Sequence, residues 1–200
     1  MTIGYVPCKE KMRYNPITEK PYCCVPAVLQ MILGRRGLCS TSQDEIGWEL
    51  GLIVPPEIKS EFTKVRTGSK PRAGYGTQIS KPEFSIEKYF DHKHLPLSIT
   101  RILPTSFKEL ISTIGTALAQ DNDIVICYNS QLLFGDGDIE HVSLIEEFNN
   151  SSGAVTVVDP AIGSPERRIT TIAEIFKTIQ NHNVSESGGL WIISEREHGA

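Results

Sequence analysis

Residues 20–33 constrain this chain most, because they place two adjacent cysteines directly before a strongly apolar segment. Apolar residues recur every three or four positions after Cys24, which predicts a helix with one buried face. Pro26 fits only in the first turn of a helix, since proline lacks the N–H that later turns require. The helix is therefore predicted to begin at Cys24 or Val25. A thiol at that end lies beside unpaired backbone N–H groups and the positive end of the helix dipole, which favour the reactive thiolate.

The composition is that of an ordinary soluble globular protein. The 200 residues are 40% hydrophobic and 22% charged, with a formal net charge of −4, so we expect a single domain over residues 1–200. Without an overall basic character, neither nucleic acid nor an anionic membrane is an expected partner. The first residues lack the features of a signal peptide, and no stretch is long and apolar enough to cross a bilayer. We therefore expect a cytoplasmic protein without a membrane segment.

The cysteine pattern argues against disulfides and structural zinc. The chain has five cysteines, an odd number with irregular spacing: Cys8, Cys23, Cys24, Cys39 and Cys127. Structural zinc sites usually use pairs separated by two to four residues, whereas the close pair here is adjacent. Free thiols in a reduced compartment are expected, with Cys8, Cys39 and Cys127 in structural roles. Redox switching through the adjacent pair is disfavoured because adjacent cysteines form a strained bridge.

Helical patterns dominate the first half of the chain and strand patterns the second, which predicts an α+β fold with N-terminal helices packed on a mainly antiparallel sheet. Besides the helix at residues 24–33, helices are predicted at 42–51, 85–91, 106–118 and 171–180, and strands at 97–102, 123–128, 141–145, 154–158 and 189–193. Residues 55–81 are basic and interrupted by prolines and glycines. They are predicted to form either a solvated surface loop or a flap over a cleft.

Three residues could together supply nucleophilic chemistry. A cysteine nucleophile needs a base within hydrogen-bond reach, and that base needs a third group to orient it. His141 begins one predicted strand, and Asp159 ends its predicted hairpin partner, so the two should lie close together. Asp159 can then accept a hydrogen bond from one imidazole nitrogen while the other faces the thiol of Cys24. Taken singly, each residue also has an ordinary structural interpretation, as a buried thiol, a loop histidine or a turn opener.

A second group of residues could be interpreted as a metal site. It consists of Asp136, Asp138, Glu140 and His141. The loop lacks the full calcium-binding pattern and its closing glutamate, so a solvated turn is the favoured interpretation. We expect no metal and no cofactor.

Residues 24–33, with the sequence Cys-Val-Pro-Ala-Val-Leu-Gln-Met-Ile-Leu, resemble the Cys-Gly-Pro-Ala-x-Leu-x-Met-x-Leu block of the bacteriocin-leader-processing (double-glycine) peptidases and their stand-alone relatives. These proteins are papain-like cysteine peptidases. Residues 141–145 and 154–160 are similar to that family's histidine strand and Asp-Pro strand. The resemblance implies a papain-like fold in which Cys24, rather than Cys23, is the nucleophile, His141 the general base and acid, and Asp159 the orienting residue.

The sequence departs from that family at two positions. Val25 stands where the family usually has glycine, and Thr18 stands where a glutamine six residues before the nucleophile usually donates to the oxyanion. Thr18, Asn15 and Gln78 are the candidate replacement donors. The predicted function is a thiol hydrolase that cleaves a peptide or isopeptide bond of a peptide or protein substrate through a thioester. The alternatives are an acyl or peptidyl transferase and a catalytically inactive peptide-binding module of the same fold.

Overall fold

The structure is a computed structural model that describes residues 13–38, 41–135, 140–164, 166–181 and 188–196. The helices are α1 (Cys24–Arg35), α2 (Gln43–Glu49), α3 (Ile86–His92), α4 (Phe107–Ala119), α5 (Ser130–Phe134) and α6 (Ile172–Gln180). The strands are β1 (Ile53–Val54), β2 (Arg66–Thr67), β3 (Leu97–Ile102), β4 (Asp123–Asn129), β5 (Glu140–Asn149), β6 (Ala154–Val158), β7 (Arg167–Thr171) and β8 (Gly189–Glu195). Short 3₁₀ turns occupy Pro56–Glu61 and Pro82–Phe84.

The main sheet contains six strands in the order β3-β8-β4-β5-β6-β7, and every neighbouring pair is antiparallel. The short strands β1 and β2 form a separate parallel pair. Helices precede most of this sheet in the chain, so the predicted α+β class with a mainly antiparallel sheet is confirmed. Of the helices in the described ranges, none has the length and apolar character needed to span a bilayer.

Both faces of the sheet are covered, which explains why the central strand β4 is a continuous apolar run instead of an alternating one. One face packs against α1, α2 and α3, and Trp191 is among the largest side chains in that cluster. The other face packs against α4 and α6. Successive residues of β4 therefore enter different clusters: Val125 lies on the α1 side and Ile126 on the α4 side. Side chains alternate between the faces of a strand, so both sets of positions must be apolar when both faces are buried.

The start of α1 lies where Pro26 requires it. The helix begins at Cys24, with Cys23 as its N-cap and Pro26 in the first turn. Most of the helix is buried, including Val28, Leu29 and Ile32, and it packs against α2 and β5. The apolar face thereby fixes the helix against the sheet and points its N-terminus toward the start of β5.

A buried ionic cluster holds the other end of α1 on the sheet. Asp123, at the start of β4, is fully buried, and its Oδ1 accepts hydrogen bonds from the Tyr14 hydroxyl (2.7 Å) and Arg35 Nη1 (3.0 Å). Its Oδ2 accepts from Arg36 Nε (2.5 Å), and Arg13 Nη2 lies 3.8 Å from Oδ1. We call these five residues the Asp123 cluster. It joins the segment before α1 and the C-terminal end of α1 to the centre of the sheet.

Candidate active site

The two adjacent cysteines lie in different environments. Cys24 is half-buried and lines a cleft of about 710 Å³. Cys23 is fully buried and packs in a small apolar cluster with Leu52, Val54 and Phe62. Burial raises the pKa of the Cys23 thiol well above its ordinary value. Cys23 is therefore a core residue, and Cys24 is the thiol that faces the cleft.

The hairpin of β5 and β6 brings His141 and Asp159 together as the sequence predicts. Leu144 pairs with Val158, so the start of β5 and the residue after β6 lie at the same end of the hairpin. The distance between His141 Nε2 and Asp159 Oδ1 is 2.8 Å, and the pair is buried. With its proton on Nε2, the imidazole donates to Asp159 and leaves Nδ1 to face Cys24.

Further contacts hold both members of this pair in place. Asp159 Oδ1 also accepts from the backbone N–H of Ala161 (3.0 Å), and Arg168 Nη1 lies 3.5 Å from Oδ2. The ring of Tyr128 packs edge-on against the imidazole of His141, with ring centroids 5.7 Å apart and planes at 86°. These contacts fix the orientation of the imidazole, which general acid–base chemistry requires.

The electrostatics of the pair favour imidazolium and carboxylate. Burial would lower the pKa of His141, but hydrogen bonds to Asp159 and Cys24 outweigh it and raise that pKa to about 10. Burial would raise the pKa of Asp159. The hydrogen bond from His141, the positive charge of His141 and the hydrogen bond from the Ala161 N–H outweigh burial and lower the pKa of Asp159 below its ordinary value.

A carboxyl group that the sequence did not single out completes the site. Glu19 lines the same cleft, and one of its carboxyl oxygens, one Cys24 sulfur and one His141 nitrogen all lie within 4.8 Å of one another. The Oε2 atom of Glu19 is buried and has no hydrogen-bond partner. Burial, with a smaller contribution from Asp159, raises the pKa of Glu19 to about 7, although the charge of His141 lowers it.

The backbone of Glu19 is held at this position from both sides. Its N–H donates to the carbonyl of Pro160 (2.8 Å), the residue after Asp159. From α2, the amide of Gln43 donates to the carbonyl of Thr18 (2.9 Å) and accepts from the N–H of Lys20 (2.8 Å). The segment that carries Glu19 is thus tied both to the Asp-Pro turn and to α2.

The basic segment at residues 55–81 contributes one wall of the cleft. Its residues Lys70, Ala73, Gly74, Tyr75, Gly76, Thr77 and Ile79 line the cavity opposite Cys24 and His141. Tyr75 packs against Tyr22, with ring centroids 5.7 Å apart, and Tyr22 precedes the two cysteines. Residues 70–79 therefore contribute to the lining of a cleft, whereas the sequence left open a solvated surface loop and a flap over a cleft for this segment.

The other candidate residues do not meet at the reacting atoms. Asn15 and Thr18 are exposed and do not line the cleft. Gln78 is buried, but its amide donates to the carbonyls of Gly74 and Gly76 and supports the wall of the cleft. None of the three candidate oxyanion donors from the sequence therefore reaches the site.

The residues of the second candidate metal group and the remaining cysteines lie in different places, some of them outside the described residues. Asp136 and Asp138 lie outside the described residues, as do Cys8 and Cys39, while Glu140 is exposed at the rim of the cleft. Cys127 is buried in β4, where it lines the cleft and belongs to the cluster under α1. Within the described ranges, the group whose ligand atoms converge is Glu19, Cys24 and His141.

Comparisons with known proteins do not assign the chain to a family. No protein-family model matches the sequence, and no curated protein matches it. What the fold and the site define is an α+β protein with a cysteine, a histidine and an aspartate aligned at the N-terminus of a buried helix. The function is therefore inferred from the geometry and electrostatics of these residues.

Proposed function

We propose that this protein is a papain-like thiol hydrolase, a cysteine peptidase that cleaves a peptide or isopeptide bond through a Cys24–His141–Asp159 catalytic triad. The observation that carries the proposal is the ordered chain of contacts in one cleft. The Cys24 sulfur lies within 4.8 Å of a ring nitrogen of His141, and His141 Nε2 is hydrogen-bonded to Asp159 Oδ1 (2.8 Å). Nucleophile, base and orienting residue lie in the order that nucleophilic catalysis requires.

The proposed reaction proceeds by acyl transfer. The thiolate of Cys24 attacks the substrate carbonyl, and the proton taken up by His141 passes to the leaving amine as the C–N bond breaks. Water then attacks the thioester, with His141 as general base, and releases the acid and the free thiol. Asp159 stays ionised and keeps the imidazole in the required orientation. The volume of the cleft, about 710 Å³, is in the range of clefts that hold a ligand of a few residues.

Selective alkylation of the thiol tests the first part of this proposal. Limiting iodoacetamide, followed by peptide mass mapping, should label Cys24 at least roughly tenfold faster than any other cysteine of the chain. His141→Ala should remove that advantage. The matched control is His92→Ala, because His92 is an exposed histidine of α3 that pairs with Glu49 and does not line the cleft. Slow and unselective labelling that His141→Ala leaves unchanged would favour the inactive peptide-binding module.

Turnover tests the second part. The protein should be incubated with a pool of peptides of mixed sequence, and new termini should be identified by mass spectrometry. Cleavage that disappears in Cys24→Ala would support hydrolysis. Products joined to an added amine, in place of free carboxylic acids, would identify an acyl or peptidyl transferase that uses the same thioester. Absence of both products, together with selective labelling, would restrict the substrate to a bond outside the pool.

A further inference from the structure

We propose that Glu19, as a neutral carboxylic acid, is a catalytic residue that donates a hydrogen bond to the oxyanion formed when the Cys24 thiolate attacks a carbonyl. This inference rests on the proposed function. It adds an acid that the Cys-His-Asp arrangement does not contain. It predicts that the step that forms the oxyanion becomes slower when Glu19 loses its proton.

The position of Glu19 is the first reason. Its carboxyl group, the Cys24 sulfur and the imidazole share one small volume, with ligand atoms within 4.8 Å of one another. A carbonyl carbon bound to that sulfur would place its oxygen within reach of groups that line the cleft beside Cys24. Cys24 and Val25, in the first turn of α1, line the same cleft, and the first turn of a helix leaves its N–H groups without intrahelical partners. Glu19 would therefore be a second donor beside the helix N-terminus.

The unused hydrogen-bonding capacity of Glu19 is the second reason. Its Oε2 atom is buried and without a partner, and a buried polar atom left unpaired is costly, so such atoms usually have a function or a ligand. Asp159 differs in this respect, because its Oδ1 accepts from His141 and Ala161 and its Oδ2 lies 3.5 Å from Arg168 Nη1. Of the two acids beside the imidazole, Glu19 is the one with an oxygen left for a substrate.

The charges around Glu19 decide its protonation state. Cys24, His141 and Asp159 face it across the site, and Lys70 and Glu140 line the outer part of the cleft. Burial and the charge of Asp159 raise the pKa of Glu19 to about 7, against the opposing effect of His141. A substantial neutral fraction is therefore present at neutral pH, and a substrate that displaces water from the cleft would increase it.

The balance of the step is simple. The sulfur electron pair forms the C–S bond, and the π electrons of the carbonyl move onto its oxygen. The Glu19 O–H donates a hydrogen bond to that oxygen and keeps its proton. When the intermediate collapses, the C=O bond forms again, the C–N bond breaks and the amine leaves with the proton from His141. Charge that develops on the oxygen is thus stabilised by a donor in place before the reaction, which is the largest electrostatic contribution in many acyl transfers.

Two thiol reagents separate this role from other roles of Glu19. Iodoacetamide reacts by displacement at carbon and forms no oxyanion, whereas p-nitrophenyl acetate acylates the thiol through an oxyanion. The ratio of the acylation rate to the alkylation rate at Cys24, both followed by mass spectrometry in the presence of a chelator, therefore reports oxyanion stabilisation. The variants are Glu19→Gln, Glu19→Ala and, as a control at an exposed carboxylate that does not line the cleft, Glu57→Gln.

The expected pattern is specific. In the wild type the ratio falls as pH rises through about 7, by up to tenfold per pH unit, until it reaches the low value of Glu19→Ala. That value should lie roughly 100-fold below the wild type at pH 5.5, the typical effect of removing one oxyanion donor. Glu19→Gln, whose amide donates at every pH, should raise the ratio again relative to Glu19→Ala and make it independent of pH. Glu57→Gln should follow the wild-type profile.

Other outcomes would overturn the inference. A wild-type ratio that rises with pH, and that Glu19→Gln lowers, would mean that Glu19 acts as an anion or a base. A ratio that neither Glu19 variant changes would mean that the residue has only a structural role, and thermal melting of both variants would show that they are folded. If Cys24 is not alkylated selectively in any of these proteins, the proposed function fails and this inference fails with it.

Discussion

Replacing Glu19 by glutamine should make the protein more stable at high pH and leave its stability at low pH nearly unchanged. The folded-state pKa of Glu19, about 7, lies above its ordinary value of 4.5. The folded state therefore binds the proton more tightly than the unfolded state does. The stability that this proton contributes is fully present below pH 4.5 and is lost as pH rises through about 7. Glutamine has nearly the same shape and cannot lose that contribution.

The size of the effect follows from the same two pKa values. A rise from 4.5 to about 7 corresponds to about 3 kcal/mol of unfolding free energy. Glu19 is only half-buried, at a cleft that water enters, so screening makes this value an upper bound. We expect the free energy of unfolding of Glu19→Gln, minus that of the wild type, to increase by roughly 1–3 kcal/mol between about pH 4.5 and pH 8.5.

Urea unfolding under reducing conditions measures this difference. Wild type, Glu19→Gln and the control Glu140→Gln are unfolded at each pH and compared only at the same pH, so that the titration of His141 and Asp159 cancels to first order. The control should show no pH-dependent difference, because Glu140 is exposed. A difference for Glu19→Gln that stays constant within about 0.5 kcal/mol, or that decreases with pH, would refute the assignment of a raised pKa to Glu19.

Two other perturbations have clear expected results. Asp123→Asn should lower the free energy of unfolding by roughly 3–5 kcal/mol, because it removes the fully buried carboxylate charge that faces Arg35 and Arg36 and leaves them only exposed carboxylate partners, Asp121 and Glu195. A loss below about 1 kcal/mol in urea unfolding would show that the cluster is not a buried ion network. Gly189→Ala should destabilise the protein by at least roughly 1–3 kcal/mol, because its φ is +101° and a Cβ would lie 2.5 Å from a carbonyl of β3; a thermal melt equal to that of the wild type would contradict this.

The elements that the sequence predicts well are those with a strong local pattern. Helix α6 lies where Thr171 and Glu174 form a capping box, and α2 has the same device at Ser42 and Glu45. The buried strands β4, β5, β6 and β8 also lie within a few residues of their predicted bounds. Caps and apolar periodicity are local signals, so a single sequence is enough to detect them.

The elements that the sequence does not predict lack such a pattern. Strand β7, Arg167–Thr171, is at the edge of the sheet and largely exposed, so it carries polar residues and no apolar alternation. Helix α5, Ser130–Phe134, is barely more than one turn long. Both are specified by their contacts with the rest of the fold.

In the candidate site, too, some residues could be predicted from local patterns and one could not. Cys24, His141 and Asp159 each occupy a recognisable end of a helix or strand, so their convergence could be predicted from element ends alone. Glu19 lies in a segment without regular structure, and its place depends on hydrogen bonds to Pro160 and Gln43 from distant parts of the chain. The available signal was an acidic residue just before the cysteine helix. The role of that residue can be recognised only once the segments that hold it, around Pro160 and Gln43, are in place.

The environments of the two acids beside His141 support different protonation states. Asp159 accepts hydrogen bonds from His141 and Ala161, and these lower its pKa despite burial. Glu19 has a buried oxygen without a donor, and burial raises its pKa. One carboxyl group can therefore stay ionised and orient the imidazole while the other stays protonated and offers an O–H. Pairs of titratable groups whose pKa values are pushed apart are a common basis for assigning acid and base roles. In this cleft the separation arises from hydrogen-bond donors on one side of the imidazole and from burial on the other.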